Sequence, residues 1–298
     1  MIQYDPHTWM DHFFDIRGSL LKEIIGRVLL CTFWSALVVL FHLHVMQVDI
    51  PATIHTLTGL ALGLLLVFRT NASYDRFWEG RKLWGGIVNE TRNLVRSSEA
   101  LLMNCPETRR QIALWMLGYT YGSMNILRGK KDIGPVKDLL PRDDVSRAHE
   151  SPHPALYSAK QVSLLLQKAK MDGHISDFAQ ITIDQNIQLL IDYLGGCERI
   201  HKTPLPFAYV VHLRRALIVY AFTLPFALLE TFNWIWVTVL GTLFLAYVFF
   251  GIEEIGVEIE DPFGEDENDL PLEDICDSIR RNTIGLLSVP LESSLKNS

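Results

Sequence analysis

Residues 28–48, VLLCTFWSALVVLFHLHVMQV, run for 21 positions without a formal charge. At about 1.5 Å of rise per helical residue, such a run crosses a hydrocarbon layer of roughly 30 Å. Residues 50–68, IPATIHTLTGLALGLLLVF, form a second such run, and Asp49 with Pro51 makes a tight polar break at which the chain can reverse. Two membrane-length runs in succession predict two spans of a bilayer.

Further along, residues 216–229 supply only 14 apolar-rich positions and include Pro225. The run reaches span length if it begins near Pro206, which puts His212, Arg214 and Arg215 near one end, where arginines snorkel to headgroups or face protein. Residues 234–252 make a fourth run, opened by Asn233, Trp234 and Trp236 as an interfacial aromatic anchor. No lysine or arginine occurs between Arg27 and Arg69, or between Arg215 and Arg280. Positive residues are retained on the cytoplasmic side, so both termini and the long middle segment are expected in the cytosol. The carboxylates Asp5, Asp11, Asp15 and Glu23 before the first run, and its length, argue against a cleavable leader.

The chain has 298 residues, 49% of them hydrophobic, and a formal net charge of −7. Nucleic-acid binding is set aside, because it needs a basic face to offset phosphate. Cys31, Cys105, Cys197 and Cys276 are scattered, with neither a CxxC pair nor a zinc spacing, and read as ordinary buried or membrane-facing thiols. A P-loop, GxSxG, HExxH and a glycine-rich dinucleotide turn are all lacking, so an enzyme is not expected. The middle segment shows helical apolar recurrence over residues 112–127 and 181–194, separated by a loop rich in charge, Pro and His over residues 129–154. An all-α fold is expected, divided into residues 1–69 (N-terminal segment and spans 1–2), 70–205 (cytosolic helices), 206–252 (spans 3–4) and 253–298 (acidic cytosolic segment), with membrane and cytosolic parts sharing long helices.

Three constellations carry chemistry. In the second run, Gly59 and Gly63 form a GxxxG pair that lets another helix approach. On a neighbouring face Leu60, Leu64 and Phe68 recur every four residues. Such a stripe serves lipid contact or packing, or it lines a pore when a ring of identical subunits brings copies together. After Phe68, alternating charges and aromatics from Arg69 to Trp84 suit a helix emerging through the headgroup layer. Finally, twelve carboxylates between Glu253 and Asp277, with no lysine or arginine among them, surround a Pro and Gly turn. They serve as a solvated acidic surface or as oxygen ligands for calcium, which takes about six to eight of them.

Three segments, in order, resemble the bestrophin family: FRTNASYDRFWEGRKLWG after the second run, GCERIHKTPLPFAY before the third and DPFGEDENDLPLEDIC after the fourth. The short chain is similar to the bacterial branch, which implies a bacterial inner-membrane location. The resemblance implies a homopentameric ion channel in a lipid bilayer, with second spans lining an apolar neck at Leu60, Leu64 and Phe68. It implies a lower aperture within residues 175–179, best represented by Phe178. It also implies a calcium clasp at Asp261, Glu265, Asp266 and Asp269, as a candidate site and not a required cofactor. Acidic composition, with Asp177 beside the aperture, leads us to expect small monovalent cations as the permeating ions. A chloride-conducting channel and a non-conducting scaffold are the alternatives. A coupled transporter is less favoured, since the first two spans carry no acidic or basic residue in their interior.

Overall fold

The structure is a computed structural model that describes residues 7, 18–48, 50–229, 231–232 and 234–287. Asp49, Asn233 and the carboxylates at positions 5, 11 and 15 lie outside the described residues. Among these, all regular structure is helical: α1 (Leu21–His44), α2 (Ala52–Leu101), α3 (Pro106–Leu127), α4 (Arg142–Glu150), α5 (Pro154–Met171), α6 (Asp177–Lys202), α7 (Phe207–Leu228), α8 (Val237–Glu258) and α9 (Leu272–Leu286). The expected all-α class is what the chain adopts. α1, α2, α7 and α8 are each long and apolar enough to cross a membrane, and the chain is a multi-pass membrane protein. The third span begins beside Pro206, as its length required. The first begins at Leu21, seven positions before the charge-free run.

α2 is one continuous helix of 50 residues, about 75 Å long at 1.5 Å per residue. No proline falls within Ala52–Leu101, so nothing removes a backbone donor along its length.

The chain separates into two compact units. The first comprises residues 1–77, 204–261 and 266–268. Its core gathers Ile24 and Val28 of α1, Leu62 and Leu66 of α2, Leu213, Leu217 and Leu224 of α7, and Phe250 of α8. Lipid tails are as apolar as these side chains, so specificity must come from close packing and polar links. One such link is buried between Ser35 Oγ and Thr242 Oγ1, 3.1 Å apart. Trp34 stacks on Phe222 with ring centroids 4.3 Å apart, and its indole nitrogen donates to the Phe222 carbonyl at 2.9 Å.

The second unit comprises residues 78–203, 262–265 and 269–298. At its centre is α3, buried around its whole circumference from Ile112 to Asn125. Gly118 and Gly122 let α5 approach: a Cβ on Gly122 would stand 3.2 Å from the Ala155 amide nitrogen. α6 buries Ile183, Ile187, Leu190 and Leu194, the single stripe expected from its apolar recurrence. The segment read as a loop, residues 129–154, instead contains a short 3-10 helix at Gly134–Asp138 and α4. Asp143 and Asp144 in the first turn of α4, and Arg147 and His149 in the last, complement the helix dipole. Cys105, Cys197 and Cys276 are buried thiols and Cys31 is partly exposed. Burial, followed by the charge of Glu198, pushes the Cys197 thiol up to about 12, so it is unreactive near neutrality.

Candidate functional site

Within the first unit, α2 buries one seam: Leu62, Leu66, Arg69 and Ser73. Leu60, Leu64 and Phe68 each sit two positions from a seam residue, which at 100° per residue is about 200° around the helix. They are accordingly 75%, 55% and 57% exposed. These three therefore share a face and point away from the protomer's own core. The two glycines behave differently from each other. A Cβ on Gly59 would lie 2.7 Å from Tyr220 Oη, so this glycine admits a side chain of α7, whereas Gly63 has nothing within 4 Å.

Directly after Phe68, the buried seam continues with a charge. Arg69 is 1% exposed and pairs with Glu253, which is 2% exposed. Arg214 Nε donates to the same Oε1 of Glu253 at 2.9 Å, and Arg27 reaches its Oε2 at 3.3 Å. Arg27 also holds Glu254 at 2.5 Å. Below this cluster, Ser73 Oγ donates to the Gly256 carbonyl at 2.7 Å and Arg76 Nε to the Glu260 carbonyl at 3.0 Å. A buried ion costs several kcal/mol of desolvation unless it is paired, so these contacts fix α2 against α8 where the exposed apolar face ends. The sequence reading treated Glu253 only as one of twelve acids and Arg69 as a headgroup contact. The sole hint was their equivalent placement at the ends of apolar runs.

Phe178 stands in the first turn of α6, 84% exposed. Ser176 caps that helix, its Oγ accepting from Ala179 N at 3.2 Å. Asp177, invoked as a cation attractor, is paired with Lys170 at 2.8 Å.

The four proposed calcium ligands divide between the units: Asp261 and Asp266 in the first, Glu265 and Asp269 in the second. In the second unit Arg128 occupies the turn. It donates from Nε to the Phe263 carbonyl at 3.2 Å and from Nη2 to the Gly264 carbonyl at 2.9 Å, and it pairs with Glu273. Lys130 pairs with Glu265. Lys130, and then Arg128, holds the Glu265 carboxyl below its usual range; the hydrogen bond from Arg128 does the same to Glu273 against the opposing effect of burial. In the first unit Asn268 Nδ2 donates to the Gly18 carbonyl and to Glu258 Oε1, both at 3.2 Å. Among the described residues no group of three or more His, Cys, Asp or Glu side chains is placed to hold a metal ion. Of the four, Glu265 is taken up by Lys130, and the neighbouring Phe263 and Gly264 carbonyls by Arg128.

The sequence matches the family described as Bacterial/Fungal Bestrophin protein over residues 1–284. A protein of Nostoc sp. named "Voltage-dependent anion channel-forming protein" is 37% identical over 285 residues, covering 94% of this chain and 92% of that one. A protein of Escherichia coli with the same descriptive name is 30% identical over 281 residues, covering 94% and 91%. The crystal structure of a bacterial bestrophin homolog from Klebsiella pneumoniae superposes with a TM-score of 0.82 at 30% identity, covering 89% of this chain and 98% of that one. With the helical plan, the three motif segments and the whole-chain match in agreement, the chain belongs to the bestrophin family, in its bacterial and fungal branch.

Proposed function

We propose that the protein is a homopentameric anion channel of the bacterial inner membrane, with both termini in the cytosol. The observation that carries the pore is the α2 face: Leu60, Leu64 and Phe68 are the exposed apolar residues opposite the buried seam. Five copies around an axis turn three such residues into three stacked apolar rings. A constriction of that kind gates by dewetting.

Cation selectivity, expected from the acidic composition, gives way to its alternative. Relatives at 37% and 36% identity carry anion-channel names. Bulk charge misled because it counts carboxylates that are already compensated, Asp177 among them. At the aperture, Phe178 lies in the first turn of a 26-residue helix, the end whose partial positive charge favours anions. Because Arg128 and Lys130 supply fixed positive charge to the acidic turn, conduction does not require calcium.

The test is the reversal potential of purified protein in a planar bilayer under a salt gradient, with and without calcium chelator. We expect reversal near the anion equilibrium potential, unchanged by chelation, and an altered conductance when Leu60, Leu64 and Phe68 are replaced together by alanine. Reversal near the cation potential would restore the cation reading. Currents that the triple substitution leaves untouched would remove the neck assignment.

A further inference from the structure

Two cavities in the first unit share Arg27, Ile218 and Phe250. The smaller, about 300 Å³, is walled by Arg27, Arg214, Glu253 and Glu254. The larger, about 430 Å³, runs past Leu30, Phe33, Trp34 and Leu37 of α1 and Ile218 and Phe222 of α7. Along this run the Trp34 indole nitrogen is satisfied internally by the Phe222 carbonyl. At the junction the Arg27 guanidinium lies 5.9 Å from the centre of the Phe250 ring. An apolar groove of membrane helices thus ends at a charged pocket.

On the Arg214 side the pocket offers unoccupied hydrogen-bond donors. Glu253 is shared by three guanidiniums, Arg27, Arg69 and Arg214. Glu254 serves Arg27, and Glu260 approaches Arg69 at 4.0 Å. Arg214 contacts Glu253 only through Nε and is half-exposed, which leaves its two terminal nitrogens without a protein partner among the described residues. A planar fork of this kind matches two oxygens of a phosphate group. Arg27 and Arg214 flank the charge-free runs, the depth at which phospholipid headgroups lie.

We propose that this is a glycerophospholipid site, in which the two terminal nitrogens of Arg214 take the phosphodiester beside Arg27 and one acyl chain lies in the groove between α1 and α7. The occupant follows from the pairing of a phosphate-matching fork with an apolar channel that free phosphate would leave empty. A second copy of the chain is the competing occupant.

Delipidated full-length protein in detergent would be examined by native mass spectrometry and thermal unfolding with dioleoyl-phosphatidylglycerol, with dioleoylglycerol, and with inorganic phosphate. Retained phosphatidylglycerol adducts and a raised Tm, matched by neither other probe, are expected. Ile218→Trp, at a 60% exposed position, should fill the groove and abolish the adduct with the oligomer intact. Arg214→Gln should weaken binding about tenfold or more, the loss of a charged hydrogen-bonding partner. Equal binding of dioleoylglycerol, or of phosphate alone, would overturn the site, as would adducts unaffected by both variants. An oligomer that falls apart on Ile218→Trp would assign the groove to a neighbouring subunit instead.

Discussion

At the scale of single residues, charges are placed where their compensation is over-determined, and two predictions follow from that placement. Glu253 contacts a guanidinium from each of α1, α2 and α7, with Glu254 and Glu260 beside it. Glu253→Gln keeps the shape and removes the charge, leaving Arg69 buried without its counter-ion. Loss of one partner of a buried pair costs about 3–5 kcal/mol, so a marked fall in the unfolding midpoint in detergent is expected. A variant as stable as the parent would mean that the cluster is neutralised from elsewhere. Arg128 sets a second, pH-dependent case. Glu265 and Glu273 are held below their usual range by Lys130 and Arg128. The stability they contribute is complete above the unfolded glutamate value near ~4.3 and is lost as pH falls through the lowered folded values. Arg128→Ala should therefore lower Tm at pH 7, and the gap to the parent should close as the medium is acidified below about pH 4. A gap that stays constant with pH would show that Arg128 acts by packing or by its bonds to the Phe263 and Gly264 carbonyls alone.

At the scale of elements, close approach decides more than apolar periodicity does. α3 is buried on every side, so the apolar recurrence over residues 112–127 does not reveal which helix packs where. The decisive contact is Gly122 against the backbone of Ala155. Gly122→Val would drive α5 outward, and overpacking of this kind costs about 1–3 kcal/mol, read as a lowered unfolding midpoint with helical content retained. An unaffected midpoint would mean that α5 can shift without loss. By contrast, the GxxxG pair evident in the second span is only half used within the protomer, because Gly63 meets nothing. Membrane-length runs found α1, α2 and α8 from the sequence, since charge-free length is a local property, whereas α7, with Arg214 and Arg215 inside it, reached span length only from a start near Pro206. α4 was missed because its start and stop rest on short-range charge placement within a polar stretch.

At the scale of the whole molecule, a single protomer exposes far more apolar surface on its membrane helices than water would tolerate. Leu57, Leu60, Leu64, Val67 and Phe68 of α2 are all at least half exposed. Lipid or further copies of the chain must cover them. The pentamer reading requires that Leu60, Leu64 and Phe68 face an axis shared by five copies. Native mass spectrometry of protein released from mild detergent should give five chains, and the triple alanine variant should assemble identically while conducting differently. A protein that is monomeric in every membrane-like medium would remove the pore.

What the sequence determined by itself was the helical class, the four spans and the apolar stripe at Leu60, Leu64 and Phe68, because each follows from length, charge gaps and a repeat of four along one helix. The family was legible too, through three motif segments in their order relative to the spans. Tertiary structure alone decided the charges. Glu253 and Arg69 are 184 positions apart, and Arg128 is 145 from Glu273, so no local pattern connects them. A count of carboxylates saw an acidic surface suited to calcium and to cations. Folding brings arginine or lysine onto Glu253, Glu254, Glu265 and Glu273 among them, so the field near those groups is set by pairings that a count along the chain does not show.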